Sequence, residues 1–310
     1  MFADEYPRFI ELSELTPEWQ DRRKDRRDAV EQRSRMNERY EALFASNRDI
    51  FDGARVLDLA SHDGRYSFAA LKTGAAHVTG VEVRQTLIDR AQLAFDFYGQ
   101  EPETYRFVRG DIFEVLAREK FDVDVVLCFG FMYHTYRHTE LMYRLRNLAP
   151  RHMIVDTMVT RDPERTLKLI REPDVDDIRS AAPDAYSVGR VLVLRPSVSA
   201  LQLLLRAYGF EIESMYDWKG RLAGRPPVPG VEGYAAGKRV TVRCRSREAA
   251  EAAGWESVAP LPISSGPRPH TGGSEWTATP PPTQLGWRER VNQTLAKVTG
   301  YELRRTSRKR

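Results

Sequence analysis

Three carboxylates follow three short apolar runs: Asp58 in VLDLASHDG, Glu82 in GVEV and Asp111 in RGDI. After Asp58, the small Ala60 and then Gly64 let a backbone turn tightly against a ligand, with His62 between them. A helix starting there aims its first amides at the same place. Glu82 stands 24 residues beyond Asp58, a spacing at which a carboxylate can accept from both hydroxyls of a ribose. Asp111 beside Ile112 pairs an acceptor with an apolar side chain, which suits an adenine amino group and one face of its ring. Any one of these is a weak sign, since Asp111 equally fits a helix cap. In register along one chain they point to a nucleoside-containing ligand.

A fourth run, VVLCFG, ends in FMYHTYRH and brings Phe129, Tyr133 and His134 to the same place in the pattern. Histidine titrates near neutrality, so His134 reads as a general base for a hydroxyl proton. Tyr133 or Asp156, the latter in HMIVDTM, is expected to orient it. The plainer alternatives are a satisfied polar histidine and an aspartate that anchors the segment after it. His138 lies four residues beyond His134, and the two could share a metal ion, but no carboxylate accompanies them and a metal is not favoured. Tyr66 and Arg84 flank the ligand positions. Trp218 reads either as core or as a ring stacked on a sugar. Cys128 and Cys244 read as core.

These side chains need strands that end together. ARVLDLA, HVTGVEV, YRFVRGD, VDVVLCFG and HMIVDTM read as strands, and Ile88, Ala91, Phe95 and Leu141, Leu145, Leu148 mark helices between them. Such alternation predicts a parallel sheet covered on both faces, with ligands at the carboxyl ends of its strands. Residues 16–46 read as a helix: Pro17 suits its first turn, and Met36, Tyr40, Leu43 and Phe44 form a stripe. The mixed-charge run DRRKDRRD within it reads as a solvated face. Residues 160–196 read as an irregular charged insertion. Ser197 is expected to cap a helix that Gly209 ends. FEIESMYDW and KRVTVRCR then read as two more strands. The resulting division is an N-terminal helical extension over 1–50, a sheet domain over 51–250, a Pro-rich linker over 251–283 and a basic amphipathic helix over 284–310.

The chain has 310 residues, 41% of them apolar, which supports a real core and excludes wholesale disorder. The formal charge of +4 is local: residues 284–310 carry eight bases and two acids, leaving 40 bases against 42 acids elsewhere. A body so near neutral argues against a broad nucleic-acid footprint. No run approaches the roughly 18 apolar residues a membrane span needs, and the N-terminus is not that of a signal peptide, so a cytoplasmic location is expected. Two cysteines make neither a disulfide scaffold nor a thiolate zinc site.

Residues 55–160 resemble a class I S-adenosylmethionine-dependent methyltransferase: VLDLASHDG is similar to the family's first motif, GVEV to its ribose-binding acid and GDI to its adenine segment. The strands near 210–244 resemble its closing antiparallel hairpin. The resemblance implies a Rossmann-like α/β fold with a mostly parallel seven-stranded sheet and helices on both faces. It implies S-adenosylmethionine as methyl donor and S-adenosylhomocysteine as product, held by Asp58, Ala60, His62, Gly64, Glu82, Asp111, Ile112 and Phe129. The first motif departs from the pattern, with Ala60 and His62 standing where glycines are common. A nicotinamide site is the competing reading, but Gly-x-Gly-x-x-Gly is absent.

The Tyr133–His134 segment is similar to a subgroup that contains sugar and polysaccharide O-methyltransferases and a tRNA wobble-uridine carboxymethylating enzyme. The first of these is the preferred expectation: a hydroxyl of a sugar, oligosaccharide or glycosylated metabolite, with no nucleic-acid partner. The terminal helix leaves a homodimer open. The tRNA-modifying enzyme and a non-catalytic binding module are the alternatives.

Overall fold

A computed structural model describes residues 1–14, 27–173, 180–184, 187 and 189–247. All of them fall within one compact unit, Met1–Leu261; a second unit, Pro262–Arg310, lies outside the described residues, and with it most of the expected linker and the terminal helix.

The five expected strands form within a residue or two of their expected bounds: β1 Arg55–Leu59, β2 His77–Glu82, β3 Tyr105–Arg109, β4 Val125–Phe129 and β5 His152–Met158. The insertion contributes β6 Leu167–Pro173 and β7 Arg190–Pro196, and the closing pair is β8 Phe210–Met215 and β9 Arg239–Ser246. Seven strands make one sheet in the order β3-β2-β1-β4-β5-β9-β8. Its first five run parallel, whereas β9 is antiparallel to both β5 and β8. The order reverses between β1 and β4, so a crevice opens outside the carboxyl ends of those strands.

Every residue of β4 is buried, as expected of a central strand covered on both faces. Alternation of side chains divides the core in two. On one face Val56, Val125 and Ile154 meet Phe44, Phe68 and Phe95; on the other Leu57, Val126 and Cys128 meet Leu141, Leu145 and Leu201. Each such side chain contributes about 1.5–3 kcal/mol through burial. Ser197 caps the helix Val198–Ala207 by accepting from the Ala200 amide at 3.2 Å, as expected.

The structure departs from the sequence reading in four places. The N-terminal segment is integral to the core: Phe2 and Phe9 are buried there, and Phe2 stacks on Tyr40 with ring centroids 4.4 Å apart. The helix runs over Arg27–Leu43, and residues 15–26 lie outside the described residues. The insertion is not irregular, since β6 and β7 pair antiparallel along their full lengths. The strand β8 stops at Met215, and Trp218 opens the short helix Trp218–Leu222, buried and stacked on Tyr234. Its indole donates to Thr241 Oγ1 at 3.0 Å, so Trp218 belongs to the core and not to a sugar platform.

Candidate active site

A cavity of about 460 Å³ opens at the carboxyl ends of β1, β2 and β4. That is within the range of small-molecule sites. Ala60, His62, Glu82, Asp111, Ile112, Phe129, Tyr133 and His134 all line it.

The loop after β1 is shaped by backbone conformation. Ala60 and His62 both have φ of 54°, the left-handed region that glycine enters freely and other residues enter at a cost. The departure from glycine therefore changes the side chains while keeping the turn. Gly64 also has positive φ, at 73°, and a Cβ there would lie 2.8 Å from Ala91 Cβ. It does not line the cavity; it lets the helix Arg65–Thr73 start against its neighbours.

Glu82 fixes this loop to the next strand. Its Oε2 accepts from the His62 amide and its Oε1 from the Arg84 amide, each at 3.0 Å. Each carboxylate oxygen keeps a second lone pair for a ligand. Asp111 caps the helix Ile112–Arg118, accepting at Oδ1 from the Phe113 and Glu114 amides at 2.9 and 3.1 Å. No described residue bonds its Oδ2, so the cap and the ligand role are compatible.

Asp58 lies elsewhere. It is buried beneath the loop and absent from the cavity lining, and Ser67 Oγ donates to its Oδ2 at 2.7 Å. Burial, aided by the nearby Glu82, pushes its carboxyl up to about 7 despite the Ser67 bond. The expected direct contact of Asp58 with the donor is thus replaced by a structural role. Asp63 is its opposite: although burial works against ionisation, the adjacent Arg65 guanidinium holds its carboxyl well below the usual range.

At the end of β4, Met132–His134 forms one tight turn, and His134 Nδ1 lies 3.2 Å from Glu172 Oε2. Glu172 also accepts from the Ala181 amide at 3.1 Å. Burial raises the Glu172 carboxyl, but these two bonds bring it below its ordinary range. An ionised carboxylate only accepts, so Nδ1–H donates to it, and in the neutral ring that leaves the lone pair on Nε2. The hairpin supplies this partner, and it is secured to the same turn by the Leu194 amide donating to the Thr135 carbonyl at 3.1 Å.

Asp156, expected to orient His134, does not reach it. It is fully buried, with Arg239 Nε at 2.6 Å and Arg39 Nη2 at 3.0 Å from Oδ1, and Thr241 Oγ1 at 2.7 Å and Tyr234 Oη at 2.8 Å from Oδ2. Burial would raise its carboxyl, yet Arg239 and Arg39 hold it below the ordinary value. It lies outside the cavity lining and makes no bond to His134. Its influence on the site runs through Arg239, whose Nη1 donates to Tyr133 Oη at 3.4 Å. Tyr133 in turn packs on the His134 ring, with centroids 4.2 Å apart.

His138 does not join His134 as a metal pair. It is buried, with Nε2 bonded to the Met132 carbonyl at 2.6 Å. Among the described residues no group of three or more His, Cys, Asp or Glu could hold a metal ion. Cys128 is buried, which pushes its thiol up to about 12, and Cys244 is buried likewise. Tyr66 and Arg84 do line the cavity.

Four lining or supporting residues escaped the sequence reading: Arg35, Arg39, Glu172 and Arg239. The first two stand four apart on one helix and were legible as a pair on one face. Glu172 and Arg239 reach the site only through strand pairing far along the chain.

Residues 56–150 match a family model described as a methyltransferase domain, and this stretch carries Glu82, Asp111 and His134. Among curated proteins, ribosomal RNA large subunit methyltransferase I of Aeromonas salmonicida is 36% identical over 77 residues, 23% of this chain and 19% of that protein. The enzyme of the same name from Photobacterium profundum is 35% identical over 80 residues, 24% and 20% of the two chains. The chain thus spans about a fifth of the length of these relatives. Among solved structures, the N-terminal domain of EvdMO1 with S-adenosylhomocysteine bound is 18% identical, covering 68% of this chain and 81% of that one, with a TM-score of 0.48. Magnesium protoporphyrin IX methyltransferase from Synechocystis PCC 6803 is 14% identical, covering 70% and 83%, with a TM-score of 0.47. Among the described residues no helix is long and apolar enough to cross a membrane.

Proposed function

We propose that the chain is an S-adenosylmethionine-dependent O-methyltransferase acting on a hydroxyl of a sugar, oligosaccharide or glycosylated metabolite. The methyltransferase domain over 56–150 supports the reaction class. The observation that carries the choice of oxygen as acceptor is the His134–Glu172 pair at the cavity, at 3.2 Å.

The residues present suit the donor. Glu82 would hold a ribose, Asp111 Oδ2 and Ile112 an adenine, and the backbone of the Ala60–His62 loop the remainder. When bound, S-adenosylmethionine supplies a methyl group on a sulfonium, already strongly electrophilic. The chain's own task is then to align a hydroxyl and take its proton. His134 accepts that proton at Nε2 while Glu172 accepts from Nδ1–H, keeping the tautomer and stabilising the imidazolium that forms. Such a placed base is worth roughly 10²–10⁴ in rate. Phe129, Phe131 and Tyr133 line the same stretch of cavity and restrict water there.

An RNA acceptor is the second reading, and the local likeness to ribosomal RNA methyltransferases favours it. Release of S-adenosylhomocysteine on a panel of neutral and acidic saccharides, glycosylated metabolites, bulk tRNA and ribosomal RNA separates the two. Turnover on a saccharide supports the first reading. Turnover on RNA alone, with affinity falling steeply between low and moderate salt, replaces it. No binding of S-adenosylhomocysteine at all overturns both.

A further inference from the structure

Part of the cavity lining carries more positive charge than its own carboxylate neutralises. Arg35 and Arg39 stand one turn apart on the helix Arg27–Leu43, Arg239 opens β9, and all three line the cavity. One acid, Asp156, serves both Arg39 and Arg239. Arg35 forms no hydrogen bond or ion pair with any described residue. Glu31, one turn before it, also lines the cavity but does not pair with it. Arg39 is only 6% exposed, yet its Nε is buried without a partner. Although the Arg35 side chain is exposed, the protein packed around it, with the charges of Arg39 and Arg239, lowers its guanidinium from the ordinary value, and the three cations lie within one another's field.

Arg39 and Arg239 are buried and share Asp156, whereas the Arg35 side chain is exposed at the cavity, where its N–H donors stay open to an anionic ligand. A cationic sulfonium is not such a ligand, and the donor's own carboxylate is the rival occupant. The cluster also adjoins the base: a Cβ on Gly130 would lie 3.6 Å from Arg239 Nη2, and Arg239 Nη1 reaches Tyr133.

We propose that Arg35, Arg39 and Arg239 seat a negatively charged group of the acceptor, a carboxylate or phosphate borne by the sugar whose hydroxyl meets His134. This rests on the O-methyltransferase reading and narrows it from saccharides in general to acidic sugars and sugar phosphates. Planar guanidiniums with free N–H donors bind both anions in paired contacts, whereas a neutral sugar leaves them unsatisfied.

The test is calorimetric titration of inorganic phosphate, glucuronate and glucose into the full chain, with and without saturating S-adenosylhomocysteine. The expected result is saturable binding of phosphate or glucuronate and none of glucose. Arg35→Ala should weaken the bound anion at least about tenfold, and Arg35→Lys should recover only part of that loss, since an ammonium keeps the charge but not the paired contact. The affinity of Arg35→Ala for S-adenosylhomocysteine should stay within about twofold of the parent, since this product carries its own carboxylate and reports on that rival use of the arginine. Absence of saturable anion binding overturns the proposal. So does unchanged binding in Arg35→Ala, or a tenfold loss of S-adenosylhomocysteine affinity in that variant. Failure of the parent to bind S-adenosylhomocysteine would count against the donor assignment alone, while the titrations without it still decide the anion site.

Discussion

The two sides of the cavity are assembled in different ways. The side formed by the ends of β1, β2 and β3 draws on residues between Ala60 and Ile112, each placed by the strand it follows, and held by bonds such as Glu82 to the His62 amide. The side around His134 draws on an N-terminal helix, an inserted hairpin and the closing strand, which meet only after the whole sheet has formed. Its contacts join Arg39 to Asp156 and His134 to Glu172 across long stretches of chain. The first side is a local device for holding one ligand. The second is a long-range assembly whose side chains set what is done to another. Substitutions should therefore separate into changes of donor affinity and changes of turnover.

The largest expected effect falls on the second side. His134→Ala should lower kcat by roughly 10²–10⁴ with S-adenosylhomocysteine affinity unchanged, because the base acts only as the proton leaves. Glu172→Gln should lower kcat about tenfold at unchanged KM, with partial recovery in Glu172→Asp, since its role is to orient the ring. An equal loss of donor affinity in either variant would break the division between the two sides.

Next comes the buried cluster beneath that side. Asp156→Ala leaves Arg39 and Arg239 without their shared acceptor and should cost about 3–5 kcal/mol at pH 7, measured by urea unfolding. The Asp156 carboxyl lies below its unfolded value, so its contribution is present above the ordinary carboxylate range and is lost as pH falls through the folded value. The gap between parent and variant should accordingly narrow in acid. A gap that widens there would contradict the ion cluster as the source of stability.

On the first side, Glu82→Ala should weaken S-adenosylhomocysteine by about 1.5–3 kcal/mol, the worth of hydrogen bonds to a charged group, while kcat at saturating donor stays within a few-fold. A large loss of kcat with affinity intact would place Glu82 among the turnover residues and erase the contrast.

The same contrast explains what the sequence disclosed. Strand β5 was legible to the residue, because the apolar Met153–Val155 follows closely on Pro150 and Arg151 and carries on the strand–helix alternation. Glu82 and Asp111 were legible because strand period and chain spacing alone bring them to the sheet's edge. Asp58 follows the same spacing but pairs with Gly80, two residues short of the level that Glu82 occupies on the same face, and is covered there by the loop and Ser67. Glu172 was not legible: nothing within the charged stretch LKLIREP distinguishes that carboxylate until β6 pairs with β7 and the hairpin meets the turn after β4. Arg239 likewise acquires its role only when β9 inserts beside β5, in register from Asp156↔Thr241 to Met158↔Arg239.

The smallest effect concerns the loop that departs from glycine. Ala60 holds φ at 54°, where an alanine pays about 1–2 kcal/mol relative to the right-handed region and a glycine does not. Glycine in turn loses more backbone freedom on folding, worth about 0.5–1 kcal/mol in the other direction. Ala60→Gly should therefore stabilise the fold by no more than about 1.5 kcal/mol, read as a small rise in the urea midpoint at constant slope. Donor affinity should move little, because the turn is already in the conformation that glycine would adopt. A tenfold change in S-adenosylhomocysteine affinity would mean that the Ala60 methyl itself contacts the ligand, and that this loop selects by side chain as well as by backbone.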